Sequence, residues 1–171
     1  MGTFTKSFGG MGGYVAASTD VVDHLRATCP GILTHDAMSP VMCAQVTRAL
    51  DIIDGAAGDL GRRKIDDLKA NSNYFRAELV KAGFHVYGDY DSPIIPVLLY
   101  NPTKIAAFSR ECFKRELAVV VVGFPATGLV KSRARFCVSA GHTRADLEDA
   151  VAKIKEVAQL IKIRYADSPF G

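Results

Sequence analysis

From Phe84 onward the apolar residues change their spacing, and that change restricts the fold more than any other feature of the 171-residue chain. Before it, Ile65, Leu68, Ser72, Phe75 and Leu79 recur at intervals of 3, 4, 3 and 4, along one face of a helix. Gly83 stands where that helix ends and can serve as its C′ residue. After it, Phe84 to Tyr87 alternates with a period of two, as a strand does. Pro93 to Tyr100 is apolar and β-rich, with two prolines that favour a sheet edge. Asn101-Pro102 opens a helix with asparagine as N-cap; Ile105, Phe108, Cys112 and Leu117 form its core face. Ala118 to Val122 reads as a strand buried on both faces, and Phe124 to Gly128 as a loop. Ser132 to Ser139 alternates again, with Ala134, Phe136 and Val138 on one face and Arg133, Arg135 and Cys137 on the other. Thr143 and Asp146 are spaced as a capping box. The last helix carries Leu147, Val151, Ile154, Val157 and Ile161 on one stripe, and Pro169 ends the order. The sequence β-β-α-β-β-α predicts an α+β layer, with helices packed on one face of a sheet.

The upstream part is mainly helical. Tyr14 to Ala17 reads as a short strand. Ser18 or Thr19 then caps a helix lined by Val21, Val22 and Leu25, and Cys29-Pro30-Gly31 breaks it. Ser39-Pro40 opens a second helix, with Val46, Leu50 and Ile53 at helical spacing. Gly55 to Gly61 holds three glycines and reads as a break or loop.

Charge and cysteine usage narrow the function. The net charge is only +3, and no basic run reaches five residues, which gives nucleic-acid binding little support. No apolar run approaches the roughly 20 residues that span a bilayer, and no signal peptide is visible. Cys29, Cys43, Cys112 and Cys137 lack any CxxC pattern and read as reduced, buried thiols in a reducing compartment. His24, His35, His85 and His142 show no ligand spacing, so no metal is expected.

Two stretches can carry chemistry. In Gly2-Thr3-Phe4-Thr5-Lys6-Ser7-Phe8-Gly9-Gly10-Met11-Gly12-Gly13-Tyr14, one lysine sits among hydroxyl residues and is followed by four glycines. The hydroxyls of Thr3, Thr5 and Ser7 can converge on an anion, and a lysine so placed suits a Schiff base. Acting as a base would require its pKa, about 10.4 in the free side chain, to fall by ~2–3 units. The lysine precedes the glycines, so this is not a phosphate-binding P-loop. The second stretch is Arg133 with Arg135, two arginines on one strand face. Arginine takes a carboxylate through two parallel hydrogen bonds, which fits an amino-acid substrate, although a solvated strand face would also display two arginines.

Three segments together resemble one family. Gly2 to Tyr14, Val119 to Thr127 and Ser132 to Thr143 are similar to the α-oxoamine synthases, fold-type I enzymes dependent on pyridoxal 5′-phosphate. Within that family the wording is most like the lysine-bearing subunit of serine palmitoyltransferase, and the likeness runs over essentially the whole chain. The resemblance implies that Lys6 is the catalytic, cofactor-bearing lysine, that Thr3 contacts the cofactor phosphate, and that Arg135 holds the substrate carboxylate. Arg133 is then structural, and His142 is a packing or hydrogen-bonding residue outside the site.

The family's activity is then the expected one: serine condenses with palmitoyl-CoA and loses its carboxylate to give a 3-keto sphingoid base. A sister activity, forming aminolevulinate, 8-amino-7-oxononanoate or 2-amino-3-oxobutyrate, is the alternative, as is a non-catalytic piece that only packs against a partner. The expected partner is a second subunit of the enzyme or another copy of the chain. The expected location is the cytosolic face of the endoplasmic reticulum membrane.

The likeness also implies a division of the chain. Residues 1–37 would end the large cofactor-binding domain, 38–83 would be connecting helices, and 84–171 would form the small C-terminal domain. The chain is thus expected to be the C-terminal part of a longer enzyme, because the family's aspartate for the pyridine nitrogen and its stacking histidine precede the lysine. Two departures stand out. Gly128 replaces a proline common after the threonine, and Asp36-Ala37 stands where the family tends to carry Thr-Ser.

Overall fold

The computed structural model describes residues 1–163. The expected loss of order at Pro169 lies outside them. The chain divides into two compact units, Met1–Arg62 and the part from Arg63 onward.

The first unit opens with a hairpin. Strands β1 (Gly2–Thr3) and β2 (Gly13–Tyr14) pair antiparallel, Gly2 opposite Tyr14 and Thr3 opposite Gly13. The strand expected at Tyr14–Ala17 is therefore only its first residue, paired backwards across a glycine loop. Helices α1 (Thr19–Thr28), α2 (Pro30–Thr34) and α3 (Pro40–Ile53) follow. The expected break after α1 falls at Cys29 and Pro40 opens α3 as expected, whereas Pro30 and Gly31, expected within the break, begin the short α2; both prolines stand in a first turn, where the missing N–H costs nothing. Ser18 is the N-cap of α1, but its side chain makes no capping bond. The glycine-rich break after α3 holds a short exposed strand, β3 (Ala56–Asp59). The buried apolar residues of this unit are Phe4 and Val46. Phe4 lies edge-on to Phe8 and stacks on Tyr14, each at 5.3 Å between ring centres.

The second unit carries the main core. Helix α4 (Leu60–Lys81) enters it with Ser72, Phe75 and Leu79 buried as the spacing predicts, whereas Ile65 at the other end of the same stripe is exposed. Gly83 takes φ +85 and ends the helix. Strand β4 (Ile94–Tyr100), helix α5 (Pro102–Phe113), strand β5 (Val120–Val122), strand β6 (Ser132–Cys137) and helix α6 (Arg144–Ile161) complete the unit. The sheet order is β4-β6-β5, all antiparallel.

Two strand assignments change. The segment 118–122 was expected to be buried on both faces. It is an edge strand with Val120 48% exposed, because β6 occupies the centre. Phe84–Tyr87 is no full strand; it contributes a single bridge, Val86 to Val97, beside β4. That bridge accommodates a proline: Pro96 has no N–H to give, and its carbonyl accepts from Tyr87 N at 2.9 Å.

Alternation along the strands sends Ile95, Val97 and Leu99 of β4 and Ala134 and Phe136 of β6 into the core shared with α4, α5 and α6. Phe136 meets Phe75 and Phe108 edge-on at 5.5 and 6.4 Å. The caps form as expected. Asn101 accepts from Thr103 N at 2.9 Å, and Thr143 and Asp146 form a reciprocal capping box.

The cysteines require a correction. All four are free, but only Cys112 is buried; Cys29 and Cys43 are half-buried and Cys137 is exposed. Cys137 follows Arg135 on the outer face of β6, so alternation turns it from the core. Burial pushes the Cys112 thiol up to about 12.

Candidate functional site

In the first unit the hairpin loop places Lys6. Its carbonyl accepts from Gly9 N at 3.0 Å, which closes a turn, and Gly9 takes φ +60. Across the hairpin, a Cβ on Gly13 would stand 2.5 Å from the carbonyl oxygen of Gly2. Only glycine lets the two strands approach this closely. The loop is tied to α3, where Gln45 Nε2 donates to the carbonyl of Phe8 at 2.8 Å.

On this frame the polar side chains form a line. Lys6 Nζ donates to Thr5 Oγ1 at 2.9 Å, and Thr5 Oγ1 lies 2.8 Å from Thr3 Oγ1. Thr3 Oγ1 in turn donates to the carbonyl of Gly12 at 3.4 Å. Donors and acceptors match if each hydroxyl passes its hydrogen along the line from Lys6 to Gly12. Lys6, Thr3 and Thr5 are exposed, so their donors can turn to a ligand. Ser7, expected to join them, stays out of this line. Thr5, the link between Lys6 and Thr3, was legible only as one of three alternating hydroxyls.

In the second unit Arg135 lies on the central strand, opposite Pro96 of β4 and Val120 of β5. It is exposed and Arg133 is half-buried. Arg135 lines a cavity of about 350 Å³, with Glu116, His142, Asp146 and Lys153 at its polar positions. Two of the acids that line this cavity have partners other than Arg135: Asp149 pairs with Lys153 at 2.8 Å, and Asp146 accepts from Thr143. Arg135 itself has no ion pair among the described residues, which leaves its fork open to an incoming carboxylate. His142 Nδ1 accepts from Ser139 N at 3.1 Å, and Asn71 donates to the carbonyls of both residues at 2.8 and 3.3 Å. Its ring thus holds the turn before α6. Gly128 sits at φ −57, a value proline also adopts, so its backbone shape does not require glycine.

An amine adjacent to hydroxyl donors on an anion-accessible loop can hold a group that pairs an aldehyde with a phosphate. An open guanidinium on a rigid strand can hold a carboxylate. Among the described residues, no group of histidine, cysteine, aspartate or glutamate side chains could hold a metal ion. No helix among them is long and apolar enough to cross a membrane.

Residues 1–154 match the model of the family described as aminotransferase class I and II. Over 166 residues, 96% of the chain, it is 50% identical to long chain base biosynthesis protein 2c of Oryza sativa subsp. japonica. It is 48% identical over the same share to serine palmitoyltransferase 2 of Dictyostelium discoideum. The chain spans about a third of the length of these curated relatives, 33% and 34%. Among solved structures, it matches a high-resolution structure of SPT with PLP internal aldimine at a TM-score of 0.82 and 21% identity, over 94% of this chain and 39% of that one. At that identity the likeness is one of fold.

Proposed function

We propose, on the premise that this chain belongs to the aminotransferase class I and II family, that it supplies the cofactor lysine and substrate arginine of a serine C-palmitoyltransferase. The observation that carries the proposal is the Lys6–Thr5–Thr3 line, in a chain half-identical to relatives named for long-chain-base synthesis. The residues fit pyridoxal 5′-phosphate: Lys6 offers the amine for its aldehyde and Thr3 a hydroxyl for its phosphate. When bound, that cofactor supplies an electron sink for a carbanion at the amino-acid α-carbon.

The chain's own residues have three tasks. Arg135 holds the serine carboxylate through its planar fork and so fixes the substrate's orientation. Lys6 would accept the proton from the serine α-carbon at its Nζ. Thr3 and Thr5 keep the Lys6 amine hydrogen-bonded near the phosphate. With that electron sink in place, bond formation between the serine α-carbon and the thioester carbon of palmitoyl-CoA would expel coenzyme A as the thiolate, carbon dioxide would leave, and the proton held by Lys6 would return to that carbon to give the 3-keto sphingoid base. Residues 1–37, 38–83 and 84–171 then serve as the end of the large domain, the connection and the small domain. The assembled enzyme pairs this chain with a second subunit or a second copy, at the cytosolic face of the endoplasmic reticulum membrane.

The test is a chimera in which this chain replaces the matching stretch of the rice relative, supplied with serine and palmitoyl-CoA. The expected result is formation of the 3-keto sphingoid base and its loss in Lys6→Ala. An inactive chimera that folds and carries the cofactor would contradict the proposal, and so would a Lys6→Ala chimera that still turns over.

A further inference from the structure

Helix α4 carries Lys69, Asn73 and Arg76 at spacings of four and three, so the three side chains share one face. All three reach the turn at 87–91. Lys69 pairs with Asp91 at 3.0 Å. Asn73 exchanges two hydrogen bonds with Asp91, at 2.7 and 2.9 Å. Arg76 Nη1 donates to the carbonyls of Tyr87 and Gly88 at 2.7 and 3.1 Å.

This clasp does not use all of Arg76. The residue is only 4% exposed, yet its Nε and Nη2 have no hydrogen-bond partner among the described residues. No carboxylate among the described residues pairs with it. Its charge is permanent, and a buried cation without a counter-charge is costly. Water could satisfy the Nε and Nη2 donors but not the charge. The unused edge is also one whose parallel N–H pair matches a carboxylate.

Tyr90 and Gly88 stand beside it. The Tyr90 ring lies 6.0 Å from the guanidinium carbon and is 76% exposed. A side chain at Gly88 would stand 3.4 Å from Nη2, and Gly88 takes φ +86. Exposed rings change rotamer within nanoseconds, so Tyr90 can swing away from the guanidinium without unfolding the turn.

We infer that the Nε–Nη2 edge of Arg76, beside Tyr90, is a binding site for a carboxylate group. The group belongs to a free small acid or to an acidic side chain of a docked polypeptide. Exposed Tyr87 and Tyr90 beside an arginine supply the residue types that anchor such docking.

The test follows the Arg76 Nε–Hε resonance of the full 171-residue chain by nitrogen-15 NMR, assigned through its own backbone so that no variant is needed. Sodium acetate is titrated against sodium chloride at equal ionic strength. The expected result is a saturable downfield shift with acetate alone, reached at lower acetate in Tyr90→Ala. A capped tripeptide with a central glutamate separates the sources. Half-saturation at lower concentration than acetate supports the side-chain source, and equal concentrations support the free acid. A resonance unmoved by acetate in both wild type and Tyr90→Ala would overturn the inference, as would an equal response to chloride.

Discussion

Arg135 and Arg133 differ by two positions and by their surroundings. Arg135 is exposed at the cavity and has no ion pair among the described residues, whereas Arg133 is half-buried opposite Leu98 and Val122. Arg135→Lys keeps the charge and loses the two-pronged fork. In the chimera it should weaken serine binding by about 1–3 kcal/mol while the cofactor stays bound. Arg133→Lys should change serine binding less. The measurement is the serine-induced change in the cofactor's absorbance, titrated for each variant. The reverse order would assign the carboxylate to Arg133. Both arginines were legible by alternation, because which face a strand residue takes is a local property. Arg76 was not, since its burial depends on a turn more than ten residues away.

The elements that were legible are those with local causes. Asn101, the Thr143–Asp146 pair and Gly83 each satisfy a helix end from within a few residues. Asp146 has a further consequence. Hydrogen bonds from the Thr143 side chain and backbone hold its carboxyl below the usual aspartate range. A depressed folded value means that its stabilising effect is complete above the unfolded value and disappears as the pH falls through the folded one. Asp146→Asn should therefore lower the unfolding midpoint at neutral pH, and the difference from wild type should shrink below about pH 4. Urea titrations at both pH values check this; an undiminished difference in acid would count against it. Strand positions were less legible because pairing is non-local. Nothing within 118–122 announces that β6 will take the centre, or that Gly2–Thr3 will pair back onto Gly13–Tyr14.

Across the molecule, the second unit draws its stability from the single cluster around Phe136, where three helices meet the sheet. Phe136→Ala would leave a cavity between Phe75 and Phe108 and should cost roughly 3–5 kcal/mol. Chemical denaturation would register this as a lower midpoint at an unchanged slope. The α+β order of this half was legible from spacing alone, and the proposed function was legible only in short strings around Lys6 and Arg135. The central claim rests on the first of these. It is tested most directly by loading the chimera with pyridoxal 5′-phosphate, reducing it with borohydride and locating the pyridoxyl label by peptide mass spectrometry. The account predicts the label on Lys6, in the peptide containing Thr3 and Thr5. A label on any other lysine, or an active chimera in which Lys6 stays unlabelled, would contradict it.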